Sequence, residues 1–253
     1  MGRDRAILLD LFGTLVLPDA ERLPVLRIGG SSVRTTLPDL AGLLAHYAPG
    51  VDLVAFWHAL AGVSEEVARQ RARDHIEEPS RHRFRRALAR VGCDQRACEE
   101  GGAALARSHH RTLGAATVLP PAHTALLDDL RQSARLAVVS NFDDTGSAYD
   151  ILHRHGILAR VDAVVVSESL GVRKPHPLMV ETALRCLELP AEAALLAGDT
   201  FGEDVGAAHA AGIDAAWIDH AGIGVPMGAR PPRFILRALP ELLAVLSQRR
   251  AAV

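Results

Sequence analysis

A chain of 253 residues with 49% hydrophobic and 23% charged side chains has the apolar content of one large globular domain, or of a core with a smaller insert. Its formal net charge of -2 leaves no broad positive field of the kind that binding to nucleic acid or an anionic membrane needs. No apolar run has the length of a membrane span, and the opening MGRDRAILLDLFG puts acids where a signal peptide is apolar, so a cytoplasmic protein without membrane or nucleic-acid partners is expected.

In chain order, the first predicted element is a buried strand over AILLD, residues 6–10, ending in a carboxylate and followed by a Gly-Thr pair. More than a hundred residues then separate it from the next strand, too many for a structureless loop, so an inserted unit is predicted. It opens on PVLRIGGSSVRTT, a hairpin pattern about Gly29-Gly30, and continues as helices: LPDLAGLLAHY, DLVAFWHALAGV, SEEVARQRARDHI, SRHRFRRALARVG and RACEEGGAALARSHHRTL. Pro18 and Pro24 on entry and Pro120-Pro121 on exit mark candidate hinges. Domains are therefore expected at 1–17 with 118–253 and at 18–117.

Beyond the insert, continuous apolar runs predict further strands at 136–140, 162–167, 194–198 and 215–219. Helical patterns lie between and after them at 122–133, 146–155, 177–188, 203–211 and 234–249. Alternation of this kind predicts an α/β fold, a Rossmann-like parallel sheet with helices on both faces, beside a mainly α-helical second unit. Asp10, Ser140 and Asp199 fall at C-terminal strand ends, the edge where open α/β sheets bind ligands.

Other residues stand out by rarity or spacing. Of the 28 basic residues only Lys174 is a lysine, and Asn141 is the only asparagine. The arginine-rich helix pattern that includes Arg81, Arg83, Arg85 and Arg86 is expected to be a solvated, ion-paired face, with binding of a substrate anion as the alternative. Cys93, Cys98 and Cys186 have no CxxC spacing and are expected as free thiols. The 12 histidines form no metal pattern, and His176 is expected at the start of the helix after Lys174.

Four stretches then line up: DLFGT with Asp10, VVSNFDD with Ser140 and Asn141, SESLGVRKPHP with Lys174, and AGDTFGEDVGAAHAAGI with Asp199 and Asp204. In order and spacing they resemble the four motifs of the haloacid dehalogenase-like hydrolase superfamily, whose core carries an inserted cap. The resemblance covers residues 5–17 and 118–220. It implies Asp10 as a carboxylate nucleophile that forms a covalent intermediate. It further implies Mg2+ held by Asp10, the Phe12 main-chain carbonyl, Asp199 and Asp204. Lys174 would neutralise charge, Ser140 would donate to a substrate oxygen, and Asn141, Gly13 and Thr14 would contact substrate.

The same resemblance exposes one departure. Family phosphatases carry a second acid two residues after the nucleophile, as proton donor and later base, and here that place is Phe12. The family's dehalogenases also have an aromatic there, but they need no metal and have a less acidic fourth motif. The expected activity is a Mg2+-dependent phosphatase acting on a small phosphorylated metabolite through an aspartyl-phosphate, in a monomer or homodimer. The alternatives are a 2-haloacid dehalogenase-type hydrolase and a non-catalytic regulatory binding protein.

Overall fold

The computed structural model describes residues 3–28 and 30–251. Its contacts divide the chain into two compact units. One comprises Met1–Leu17, Val118–Phe142 and Leu152–Val253 as far as they are described, and the other Pro18–Thr117 with Asp143–Ile151.

The first unit is built on six parallel strands: β1 (Ala6–Leu9), β2 (Arg135–Ser140), β3 (Ala163–Val166), β4 (Ala194–Gly198), β5 (Asp214–Ile218) and β6 (Phe234–Leu236). Their order across the sheet is β6-β5-β4-β1-β2-β3. Side chains alternate between faces, and both faces are covered. Ala6, Leu8, Ala137, Val139 and Leu196 pack with Met179, Val180, Ala183 and Leu187 of the helix Leu178–Leu187. Ile7, Leu9, Leu136 and Val138 point the other way and are equally buried. This is a Rossmann-like α/β sheet, as the continuous apolar runs predict.

Two local readings change. Residues 234–249 were expected as one helix, whereas Phe234–Leu236 adds a sixth strand along β5 and the helix begins only at Leu242. A three-residue edge strand is too short to display a period of two, and Pro240 belongs to the tight turn that precedes the helix. The pattern over 203–211 is likewise two pieces, a wide π-type turn Phe201–Val205 running into the helix Gly206–Ala210. Pro120 and Pro121 open the helix Pro121–Leu130, where a missing N–H costs nothing.

The second unit has a helical core. DLVAFWHALAGV and SEEVARQRARDHI form one helix, Leu53–Asp74, capped by the Asp52 carboxylate on Val54 N and Ala55 N. It packs on Ser80–Arg90, which in turn packs on Gly102–Ala115, around Phe56 and Phe84, both wholly buried, with ring centroids 6.4 Å apart. Val25–Ile28 and Ser31–Arg34 pair antiparallel as a hairpin; Gly29 of the expected turn lies outside the described residues.

Several of the arginines here are ion-paired. Arg86 meets Glu66 at 2.6 Å and Glu78 at 3.1 Å, and Arg90 meets Glu66 at 2.6 Å. Asp143 joins this unit because Arg71 (3.0 Å), Arg83 (3.2 Å) and His110 Nε2 (3.3 Å) surround its carboxylate. Burial disfavours that carboxylate, but His110, Arg83 and Arg71 hold it below the usual range. No helix among the described residues is long and apolar enough to cross a membrane. All three cysteines are free.

Candidate active site

Strands β2 and β3 lie on one side of β1, and β4 to β6 on the other, so the strand order reverses between β1 and β4. Open α/β sheets bind ligands beyond the strand ends at such a point. Asp10 follows β1 and Asp199 follows β4. The Asp10 N–H donates to Ala197 O at 2.9 Å, which carries the pairing one residue past the strand and places the carboxylate at the edge.

The loop after Asp10 closes on itself, with Val16 N on Leu11 O at 2.8 Å and Gly13 N on Val16 O at 2.9 Å. Gly13 has φ +82°, and a Cβ there would lie 2.4 Å from Asp199 Oδ2. Both the backbone conformation and the space demand glycine. Gly198 is the second such place: a Cβ would sit 2.1 Å from Asp204 Cγ, so the strand end must be bare for that carboxylate to pack on it.

Asp10, Asp199 and Asp204 each offer an oxygen to a group whose atoms lie within 4.8 Å of one another. Lys174, 1% exposed, spans two of them, with Nζ 2.6 Å from Asp10 Oδ1 and 2.5 Å from Asp204 Oδ1. Thr200 N donates to the other Asp204 oxygen at 2.9 Å. Burial, opposed by Lys174 and aided by Asp204, pushes the Asp10 carboxyl up to about 7. Burial also raises Asp199, with Asp204 adding to it. For Lys174 burial acts against the ammonium, yet the Asp10 and Asp204 carboxylates outweigh it and raise its pKa. Two carboxylates thus share one buried ammonium, with a third beside them.

The other residues singled out in the sequence have definite places. Ser140 Oγ is 1% exposed and has no hydrogen-bond partner among the described residues. The Asn141 side chain brackets the main chain of Lys174: Nδ2 donates to Lys174 O at 3.0 Å, and Lys174 N donates to Oδ1 at 2.7 Å. A short carboxamide offers both a donor and an acceptor, which accounts for an asparagine here. Thr14 Oγ1 donates to Asp199 Oδ1 at 3.4 Å, so its hydroxyl reaches an acid of the cluster. His176 Nδ1 accepts from Leu178 N at 3.2 Å at the start of the following helix.

Four further contributors went unread in the sequence. Phe142 packs on Phe12 with ring centroids 4.7 Å apart and the rings tilted, making an aromatic wall beside the loop that follows Asp10. Arg173 pairs with Glu203 at 3.1 Å and ties the Lys174 loop to the turn bearing Asp204. Trp217 Nε1 donates to Asp199 O at 2.9 Å, and His220 Nε2 lies 3.0 Å from Gly13 O. Trp217 and His220 belong to the end of β5, so the strand-end rule that selects Asp10 and Asp199 would have reached them too.

A family model described as a haloacid dehalogenase-like hydrolase matches residues 5–212. The chain belongs to that family and is a hydrolase. It is 26% identical over 151 residues to haloacetate dehalogenase H-2 of Moraxella sp. (strain B), a match covering 58% of this chain and 65% of the relative. It is 34% identical over 131 residues to the plasmid phosphoglycolate phosphatase of Cupriavidus necator, covering 50% of this chain and 56% of the relative. The matches therefore span little more than half to two thirds of these relatives' lengths. Among solved structures, a 2-haloacid dehalogenase from Pseudomonas syringae pv. Tomato DC3000 shares the fold with a TM-score of 0.73 at 21% identity, over 97% of this chain and 99% of that one.

Proposed function

We propose that this hydrolase is a Mg2+-dependent phosphatase acting on a small phosphorylated metabolite, with Asp10 as nucleophile. One observation carries the reading: three carboxylates gather within 4.8 Å against a single buried ammonium. Such a surplus of negative charge is costly unless a cation offsets it. All-oxygen donors suit a hard divalent ion, and Asp10, Asp199, Asp204 and the Phe12 carbonyl would hold it. When bound, the ion supplies positive charge to the phosphoryl oxygens and to the attacking carboxylate.

The chain's own residues then divide the work. Lys174 draws the Asp10 carboxylate into its ionised, attacking form and offers a point charge to the transferring group. Asp10 Oδ attacks phosphorus, the P–O bond to the leaving group breaks, and an aspartyl-phosphate remains for water to hydrolyse. Ser140 Oγ–H, buried and unpaired, and the Asn141 N–H donate to a non-bridging oxygen. Phe12 provides no proton, so alcohols that leave readily as anions are the favoured substrates. The inserted residues 18–117 are read as the cap that selects the substrate, and the three free thiols support a cytoplasmic setting.

A second reading has its own support. Phe12 packed on Phe142 and the similarity to a haloacetate dehalogenase favour displacement of halide from carbon, which needs no proton donor. One experiment separates the two: release of phosphate from an activated aryl phosphate, and of chloride from 2-chloropropionate, each with Mg2+ and with a chelator. Mg2+-dependent phosphate release is expected. Chelator-resistant chloride release without phosphatase activity would replace the proposal with the second reading.

A further inference from the structure

The carboxylate cluster accounts for the ends of β1 and β4, but not for a side chain that β5 sends to the same place. His220 Nε2 lies 3.0 Å from the carbonyl oxygen of Gly13, a residue 207 positions away. A carbonyl oxygen only accepts, so that nitrogen carries the proton and donates. Three residues earlier on the same strand end, the Trp217 indole N–H donates to the carbonyl of Asp199 at 2.9 Å. Two ring N–H donors, Trp217 on β5 and His220 in the turn that follows it, thus hold the main chains of the two loops that carry Asp10 and Asp199.

The backbone under His220 is held for this purpose. Asp219, 3% exposed, accepts from Ile223 N and Gly224 N at 3.0 Å each and from Arg237 Nη1 at 3.2 Å. Its own N–H pairs with Leu236 O on β6 at 2.8 Å, and Gly222 N donates to its carbonyl at 3.2 Å. The imidazole itself is exposed, so hydrophobic burial does not explain its position. On the other side, Gly13 is hemmed by the Asp199 carboxylate, which a Cβ would strike. Its peptide is therefore gripped at the Cα by lack of space and at the carbonyl by His220.

We infer that His220 is a positioning residue for the nucleophile loop: through the Gly13 carbonyl it fixes the turn that orients Asp10 and the Phe12 carbonyl. The catalytic part of this inference rests on the phosphatase reading; the structural part does not. The donor role needs an N–H at the Nε2 position, which glutamine also presents and alanine does not. Because the ring is exposed, its loss is expected to leave the melting temperature nearly unchanged while the loop loosens.

The test compares wild type, His220→Ala and His220→Gln. Hydrogen exchange of the peptide spanning Asp10 to Val16 is followed by mass spectrometry, alongside aryl phosphate kinetics with Mg2+. His220→Ala should exchange faster over that peptide and lose about five- to tenfold in kcat with little change in KM, the scale of one hydrogen bond. His220→Gln should recover both. Unaltered exchange in His220→Ala would overturn the inference whether or not the protein hydrolyses phosphate. A glutamine variant as impaired as alanine would overturn it too, by showing that the imidazole does more than donate. Normal loosening in a protein whose wild type is inactive on aryl phosphate would count against the phosphatase reading alone.

Discussion

Replacing Lys174 with methionine tests the charge arrangement most sharply. Methionine fills a similar volume with no charge, so the substitution removes the ammonium and leaves little cavity. The structure places that ammonium 2.6 Å from Asp10 and 2.5 Å from Asp204 in a site 1% exposed at the lysine. Removing one partner of a buried ion pair costs about 3–5 kcal/mol, and here two acids are stranded beside a third. The penalty must depend on pH. The folded Asp10 carboxyl, at about 7, already lies above its ordinary 3.8, so it binds its proton more tightly when folded, and its contribution to stability falls as pH rises between those values. Without Lys174 that rise is larger. The variant's deficit is therefore greatest at alkaline pH and shrinks on mild acidification, when the acids take up protons. Urea denaturation of both proteins in chelator, at mildly acidic and at alkaline pH, measures it. Equal stability at alkaline pH, or a deficit unmoved by acid, would show that the Lys174 ammonium does not offset these acids.

Four further outcomes are expected. Asp10→Asn should abolish turnover while the circular dichroism spectrum stays that of the folded protein; substantial remaining turnover would remove Asp10 from the chemistry. Phe12→Asp should raise phosphatase activity on substrates with poor leaving groups, by up to about a hundredfold if the missing acid is limiting, and steady-state rates across a leaving-group series would show no change if another group already serves. Gly198→Ala should displace Asp204, costing about 1–3 kcal/mol and most Mg2+ affinity by calorimetry, whereas Gly202→Ala, where a Cβ meets nothing within 4 Å, serves as the control that should bind normally. In the second unit, burial, with His110 and Arg83, pushes His109 down to about 3 from 6.5. The folded state thus favours the neutral ring, and stability on the order of 5 kcal/mol is present above about 6.5 and lost as pH falls toward 3. Melting curves for His109→Gln should be flatter over that window, and an equally steep loss would sink the assignment.

Much of the core was legible because its signals are local. A continuous apolar run reports a strand covered on both faces, and a polar residue at its end reports the ligand edge, which is how Asp10, Ser140 and Asp199 stand out. Lys174 and Asn141 were visible by rarity, but not their relation: that the Asn141 amide closes on the Lys174 main chain depends on two loops 33 residues apart meeting in space. The same limit hid His220, whose partner is 207 residues away, and Asp143, which reads as one more polar residue after Ser140 until Arg71, Arg83 and His110 surround it. The strand Phe234–Leu236 escaped because three residues carry too little periodicity to outvote a helical pattern beyond them.

On the phosphatase reading, Asp10 becomes covalently phosphorylated in a cation-dependent step. Its most direct test is to quench the protein with hydroxylamine during turnover of an aryl phosphate and to map peptides by mass spectrometry, with Mg2+ and with chelator. A hydroxamate is expected on the peptide containing Asp10, present only with Mg2+ and absent from Asp10→Asn. Phosphate release with no adduct at Asp10, or an adduct indifferent to the chelator, would contradict it.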